Sequence, residues 1–268
     1  MSASDRRARF RELHGENRLF LMPNPWDIGS ARILERLGFP ALATTSAGFA
    51  WSLGKPDQHV TRDELVDHVA AVAAAVSIPL NVDSERLYPD EPGGVGETVR
   101  LLAEAGASGC SIEDFDPATG MIDDVPQTAA RVAEAAEAAH AAGMVLTGRC
   151  EHHIRGVDDL DGTIARLTAY REAGADCLYA PGLTGLEQIR RVVDEVAAPV
   201  NVLALPAAPP IGELEAVGVR RISTGSLLAG TAYGALVAGA RELSDQGTSR
   251  YATGHVDRSL LADALGPE

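Results

Sequence analysis

The chain has 268 residues, 38 acidic and 23 basic, for a formal net charge of −15. That length can bury one sizeable core, and the charge argues against nucleic acid or an anionic membrane surface as partner. No apolar run approaches the roughly 18 residues that span a bilayer, and the charged opening MSASDRRARF does not read as a secretory signal, so a cytoplasmic protein is expected.

In chain order, a short apolar run followed by a helix-like stretch recurs. Run 19–22 precedes a weak helical stretch at 34–39 that ends at Gly38, and run 41–44 precedes a helix over 61–76. There Thr61 can cap the first turn while Glu64 reaches back to it. Run 78–82 leads to a helix over 97–105. Run 109–112 leads to one over 125–142, with Pro126 in its first turn and Gly143 just past its end. Run 144–147 leads to a helix over 164–173. The helices at 97–105 and 164–173 both close on Glu-Ala-Gly-Ala, where Gly106 and Gly174 supply the left-handed residue of a tight exit. Runs 176–180, 199–203 and 220–223 complete the set of eight.

Nearly continuous apolarity in each run marks strands buried on both faces, as in a parallel sheet. Eight such units fit an α/β fold of the (β/α)8 TIM barrel type. An open doubly wound sheet is the alternative, but it needs fewer strands and no GxGxxG follows the first run. The expected organisation is a single domain over 1–268, with the barrel at about 18–243 and a C-terminal helical tail at about 244–268. In that tail Leu260, Leu261 and Leu265 either pack on a neighbouring subunit or lie free.

Barrel chemistry collects just beyond the C-terminal ends of the strands. The first two ends bring Asn24 and Asp27, then Thr45, Ser46, Ala47 and Gly48, a turn whose N–H groups can receive an anion. The third to fifth ends bring five carboxylates, Asp83, Glu85, Glu113, Asp114 and Glu151, to one rim. Like charges raise one another's pKa unless a cation intervenes. Mg2+ takes a few carboxylates together with water and substrate oxygens, and Asp83, Glu85 and Glu113 match that need. The alternative is that Asp83 caps a turn while Glu113 and Asp114 pair with helix arginines. Arg149, the cation among these strand-end candidates, presents a fork for a carboxylate or pairs with Glu151 or Glu113. Asn201 in the seventh run and Ser223 to Ser226 after the eighth complete the rim.

The remaining chemistry-bearing residues have plainer readings. His14, His68 and His140 lie on helical stretches and read as surface residues, while His59 follows Asp57 at a pocket mouth. Cys110 and Cys177 read as small buried hydrophobes and Cys150 stays open. The three lie far apart, with no CxxC, HExxH, P-loop or GxSxG motif in the chain.

Several segments together carry a family likeness. PNPWDIGSAR from Pro23, ATTSAGFAWSLGKPD from Ala43, PLNVDSE from Pro79, GCSIED from Gly109 and PVNVLA from Pro199 fall in order across roughly residues 20–235. In this the chain resembles the isocitrate lyase/phosphoenolpyruvate mutase superfamily. The resemblance implies a (β/α)8 barrel, commonly a tetramer that exchanges its last helix between subunits. It implies Mg2+, or Mn2+ in its place, held at Asp83, Glu85 and Glu113, partly through water. It also implies that Arg149 and the metal bind a 2-oxo or enolate carboxylate, that amides at Ser46, Ala47 and Gly48 complete the cradle, and that Asp57 is a further acidic site residue. Two departures stand out. The family's Gly-Tyr-Gly turn is replaced by Glu85-Arg-Leu-Tyr-Pro-Asp, and the loop at 115–124 lacks the Lys-Lys-Cys-Gly-His phrase and the lysine of phosphonate-processing members.

The expected activity is a Mg2+-dependent lyase cleaving a C–C bond of a small 2-oxo- or 2-hydroxy-carboxylate through an enolate, oxaloacetate decarboxylase-like or methylisocitrate lyase-like. Arg149, Asp57 and Glu151 are the catalytic candidates. Ser46, Ala47, Gly48, Arg149 and Asn201 are the substrate-binding ones, with Glu151, His152 or Tyr88 to deliver a proton. The alternatives are a P–C mutase or hydrolase, a C–C hydrolase on an acylpyruvate, and a non-catalytic oxoacid-binding barrel. A homo-oligomer, tetramer or dimer with an exchanged C-terminal helix, is expected, and the small residues Gly230, Gly234 and Ala238 fit close helix approach.

Overall fold

All eight apolar runs form strands, in the order the sequence sets out. In the computed structural model, which describes residues 1–266, α1 (Ala3–Gly15) leads into β1 (Phe20–Met22), α2 (Ile28–Arg36) and β2 (Leu42–Ala43). Next come α3 (Ser46–Ser52), α4 (Arg62–Ala75), β3 (Leu80–Val82), α5 (Gly94–Glu104) and β4 (Gly109–Glu113). A hairpin of β5 (Phe115–Asp116) and β6 (Met121–Ile122) precedes α6 (Val125–Ala141), β7 (Val145–Arg149), α7 (Leu160–Glu172) and β8 (Cys177–Tyr179). The chain ends through α8 (Leu186–Val196), β9 (Val200–Leu203), α9 (Ile211–Ala216), β10 (Arg221–Ser223), α10 (Leu227–Gln246) and α11 (Arg258–Leu265).

The parallel strands run in the order β1-β10-β9-β8-β7-β4-β3-β2, which is a (β/α)8 barrel with one seam between β1 and β2. Polar bonds close that seam in place of a ladder. Ala43 N–H donates to the Pro23 carbonyl at 3.1 Å, and Asn24 donates to the Thr44 carbonyl at 2.6 Å. Asn24 Oδ1 also accepts from Thr224 and Gly225 N–H at 2.8 and 2.9 Å, so this strand-end residue ties β1 and β2 to the segment after β10.

Apolar contact lies mainly between strands and helices, where Val69, Val99, Leu102, Leu167 and Val192 are all but fully buried. The barrel floor is sealed by α1. Phe10, fully buried, meets the His14 ring edge-on at 4.6 Å and shares a small cluster with Leu13, Phe20, Met22 and Val145. His14, expected at the surface, is therefore a floor residue: the same helix face that carries Phe10 turns it inward. His68 is half-buried and stacks on Phe49 at 3.7 Å, and His140 is exposed beside Asp176. All three cysteines are buried and free, including Cys150.

In the tail, α11 packs on α2 and Arg36 pairs with Asp263 at 2.7 Å. Among the described residues no helix is long and apolar enough to cross a membrane. Truncating a fully buried aromatic costs about 3–5 kcal/mol, so Phe10→Ala should lower the urea-unfolding free energy by that amount. A loss below about 1 kcal/mol would show that α1 is not part of the floor.

Candidate active site

The cavity at the C-terminal mouth of the barrel has a volume of about 140 Å3. Ser46, Ala47, Asp57, Asp83, Arg149 and Asn201 line it, six of the residues expected to serve the site. Gly48, Glu85, Glu113 and Glu151 are not among its lining.

Each lining residue is placed by local structure. Thr45 caps α3 and accepts from Gly48 N–H at 3.3 Å, while Ser46 N–H donates to Asp83 Oδ2 at 3.0 Å. Two amides expected to cradle an anion are thus engaged within the protein. Gly48 has a steric reason: a Cβ there would lie 2.7 Å from Thr45 Cγ2 and 3.2 Å from Ala229 Cβ.

Arg149 is the hub. Its Nε donates to Glu151 Oε1 at 2.5 Å, and its Nη1 lies 3.4 Å from Asp83 Oδ1 and 3.2 Å from Glu113 Oε2. Parallel pairing of β4 with β7 sets Glu113 directly opposite Arg149. Glu151, fully buried, also accepts from Arg155 Nε at 3.1 Å. It holds two guanidinium groups behind the cavity wall, which is a positioning placement and not that of a group able to meet substrate. Asp114 leaves the rim: it accepts from the Tyr170 hydroxyl at 2.7 Å and Glu151 N–H at 2.8 Å and pairs with Arg166. His152 bonds Thr163 at 3.2 Å, Tyr88 donates to the Val60 carbonyl at 3.1 Å, and neither lines the cavity.

The negative charge here exceeds what one arginine balances. Burial, then the charges of Asp83 and Asp57, push Glu85 up to about 8. Burial holds Glu113 well above the ordinary carboxylate range despite Arg149, and partial burial plus Asp83 raise Asp57. An all-oxygen donor set short of positive charge fits a hard divalent cation in its chemistry. Among the described residues no three His, Cys, Asp or Glu side chains converge as a ready metal set; the Arg149 guanidinium lies between Asp83 and Glu113. Any such ion would therefore be held partly through water.

The turn beside this cluster is strained. Glu85, Leu87 and Tyr88 have φ of 50°, 62° and 48°, a region favourable to glycine and costly for other residues. Arg86 holds it, pairing with Asp116 at 2.7 Å in β5 and with Asp123 at 3.2 Å just after β6. Arg131 adds a pair to Asp123 at 2.6 Å, and Arg155 lies 3.4 Å over the Phe115 ring. The segment after β4 is thus a hairpin tied down by arginines.

Several lining residues do not stand out in the sequence, Tyr179 and Arg221 among them. Tyr179 lies at the end of β8 beneath Arg149, 5.5 Å from guanidinium carbon to ring centroid, and burial pushes its hydroxyl up to about 12. Arg221 opens β10. Both had been absorbed into apolar runs. The signal that could have found them is register: Arg149, Tyr179, Asn201 and Arg221 occupy matched positions on four successive strands.

Comparison with known proteins agrees with this fold. The family model described as phosphoenolpyruvate phosphomutase matches residues 10–244. A crystal structure of a Burkholderia cenocepacia protein described as a lyase or mutase superposes with a TM-score of 0.92 at 45% identity, covering 97% of this chain and 95% of that one. An uncharacterized protein of Mycobacterium tuberculosis is 33% identical over 88% of this chain and 89% of its own length. Oxaloacetate decarboxylase of Bradyrhizobium sp. is 31% identical over 74% of this chain and 69% of that protein.

In metal-chelated buffer the folded chain keeps the Glu85 proton to about pH 8, whereas an unfolded chain releases it near the ordinary 4.5. Stability from this group therefore falls as pH rises from about 4.5 to 8. Glu85→Gln should remove that part of the decline and raise Tm at pH 8. Mg2+ at a hundredfold excess over Kd should raise the wild-type Tm by roughly 5–10 °C, and Asp83→Asn should abolish the rise. A wild-type Tm indifferent to Mg2+ would count against a metal here.

Proposed function

The chain belongs to the phosphoenolpyruvate phosphomutase family and is an enzyme of the isocitrate lyase/phosphoenolpyruvate mutase superfamily of lyases; from that premise we propose that it cleaves a C–C bond of a small 2-oxo dicarboxylate through an enolate. The observation that carries this reading is the small polar cavity in which Asp83 and Arg149 face the same space at the rim of an acidic cluster. Decarboxylation of an oxaloacetate-like diacid is the simplest version. The C–C bond breaks, carbon dioxide leaves, the electron pair enters the enolate, and a proton then returns to carbon.

Asp83, Glu85 and Glu113 would hold Mg2+, partly through water, and the ion would supply positive charge to stabilise the enolate. Arg149 uses Nε and Nη1 on carboxylates, and its Nη2 has no protein acceptor among the described residues. That edge is left to hydrogen-bond the enolate oxygen as charge grows there. Asp57 lines the cavity, burial and the Asp83 charge raise it from its ordinary value, and we assign it the return of a proton to the enolate carbon. Glu151 fixes the Arg149 fork, and Tyr179 supports it from below. The hairpin at 115–122 carries no Lys, Cys or His, so acid–base work falls to groups of the cavity itself.

We also read the chain as a cytoplasmic homo-oligomer. Support comes from α10, which leaves Leu236, Val237 and Leu243 exposed and around Gly234 offers open space to an approaching helix. Light scattering should give a mass that is a multiple of 28.1 kDa.

Purified protein with Mg2+ should release a pyruvate-type product from at least one member of a panel of 2-oxo and 2-hydroxy diacids. Arg149→Lys should lower kcat about 10²–10³-fold, because a point charge cannot keep the fork's several bonds. Asp57→Asn should lower it about 10²–10⁴-fold. If the whole panel is inert while phosphonopyruvate turns over, the bond cleaved is P–C and the C–C reading is wrong.

A further inference from the structure

We propose that Arg221 is a carboxylate anchor at the bottom of the cavity, binding the carboxylate that the substrate keeps through the reaction. The proposal rests on the 2-oxo-acid reading above and names a binding group for it that lies away from the acidic rim.

Arg221 is 2% exposed and lines the cavity. Its hydrogen bonds all go to neutral acceptors. Nε donates to Asn201 Oδ1 at 2.9 Å, Nη2 to Thr147 Oγ1 at 2.9 Å, and Nη1 meets His14 Nε2 at 3.0 Å. His14 Nδ1 lies 2.8 Å from the Phe10 carbonyl, which can only accept, so Nδ1 carries the hydrogen and Nε2 is a bare acceptor. Burial pushes His14 down to about 3, so the ring adds no charge. A guanidinium has five N–H groups, and these three bonds leave two uncommitted. Among the described residues no carboxylate lies within ion-pair distance of Arg221, whereas Arg149 has three.

A buried charge without a counter-ion is costly. A structural brace between α1, β7, β9 and β10 would need hydrogen bonds but no net charge, and a neutral side chain could supply them. The unbalanced positive charge faces the cavity, a space an anion can enter. Register supports the geometry. Arg149, Tyr179, Asn201 and Arg221 are matched on β7, β8, β9 and β10, so their side chains share the inward face. Arg149 ends its strand and Arg221 begins its own, which carries the row from the mouth towards the α1 floor in a tilted barrel. Asn81, also in the cavity lining and 4% exposed, has an Oδ1 with no partner, a second buried group there short of one.

Chemistry decides which carboxylate sits on Arg221. In a decarboxylation, negative charge must leave the departing carboxylate, and a guanidinium clamped on that group would oppose its departure. The end paired with Arg221 is therefore the retained one, and the bond that breaks faces the rim and Asp57. Binding that is equal in ground and transition states appears in KM and leaves kcat alone.

The test compares wild type with Arg221→Met and Arg221→Lys in Mg2+ buffer, using pyruvate and its neutral amide, pyruvamide, as calorimetric ligands. Wild type should bind pyruvate at least tenfold more tightly than pyruvamide. Arg221→Met should erase that preference and Arg221→Lys keep part of it, while KM of the turned-over diacid rises at least tenfold and kcat stays within about threefold. Equal pyruvate affinity in wild type and a folded Arg221→Met, or kcat falling in step with KM, overturns the anchor. Should neither variant fold, a crystal structure of the wild type with pyruvate decides. A carboxylate within 3.5 Å of Arg221 nitrogen supports the proposal, and one held elsewhere ends it. The pyruvate arm needs no turnover, so an inert diacid panel with intact Arg221-dependent binding would sink the reaction and spare the anchor.

Discussion

The Arg149 guanidinium, set among buried carboxylates, is the interaction on which the rest of the site depends. Glu113 and Glu151 are 1% and 0% exposed, and a carboxylate at that depth is costly to bury without a cation in contact. Removing one partner of such a group strands the others, which is why the cluster acts as a unit. Its consequences reach outward. Glu151 passes the constraint to Arg155, Arg155 lies over Phe115, and Phe115 opens the hairpin that covers the flank of the site. The electrostatics that define the cavity wall therefore also fix a loop.

That loop is joined in turn to the strained segment at 85–88. Three non-glycine residues in left-handed backbone cost on the order of 1 kcal/mol or more each, yet the turn holds Glu85 against Asp83 and Glu113. Arg86, inside the strained segment, reaches Asp116 and Asp123. The same residues that replace a glycine turn thus supply the pairs that hold it. Strain beside the acidic cluster and arginine pairs on the hairpin are two sides of one local solution. It keeps carboxylates close together where their repulsion would otherwise spread them.

The barrel was legible because its signal is cumulative: eight runs, each buried on both faces, and glycines such as Gly106 and Gly174 at positive φ after their helices. The rim was legible in part, since polar residues at strand ends interrupt apolar runs, and so Asp83, Glu113 and Arg149 stood out. Which of them faces the cavity was not. Glu151 and Asp114 differ from Asp83 only in where the chain turns next, and local sequence does not encode that. His14 was misplaced for a related reason: helix α1 has almost no apolar periodicity, and its inward face is set by the floor it covers. Tyr179 and Arg221 were hidden inside runs read as hydrophobic, because only cross-strand pairing puts them in one row with Asn201.

The two arginines of that row divide the problem of binding an anion in an acidic protein. At the rim, positive charge is spent on the protein's own carboxylates, so Arg149 offers directed N–H groups with little net attraction for a distant anion. At the other end of the row Arg221 has neutral partners only, so its attraction is undiminished and burial strengthens it. A small anion entering the cavity therefore meets a gradient that draws its charged end away from the carboxylates and leaves its reactive end among them. Excess negative charge at the mouth then acts as a filter: it repels large polyanions by field, while a molecule short enough to pass reaches Arg221, a cation of the cavity lining with no carboxylate partner among the described residues.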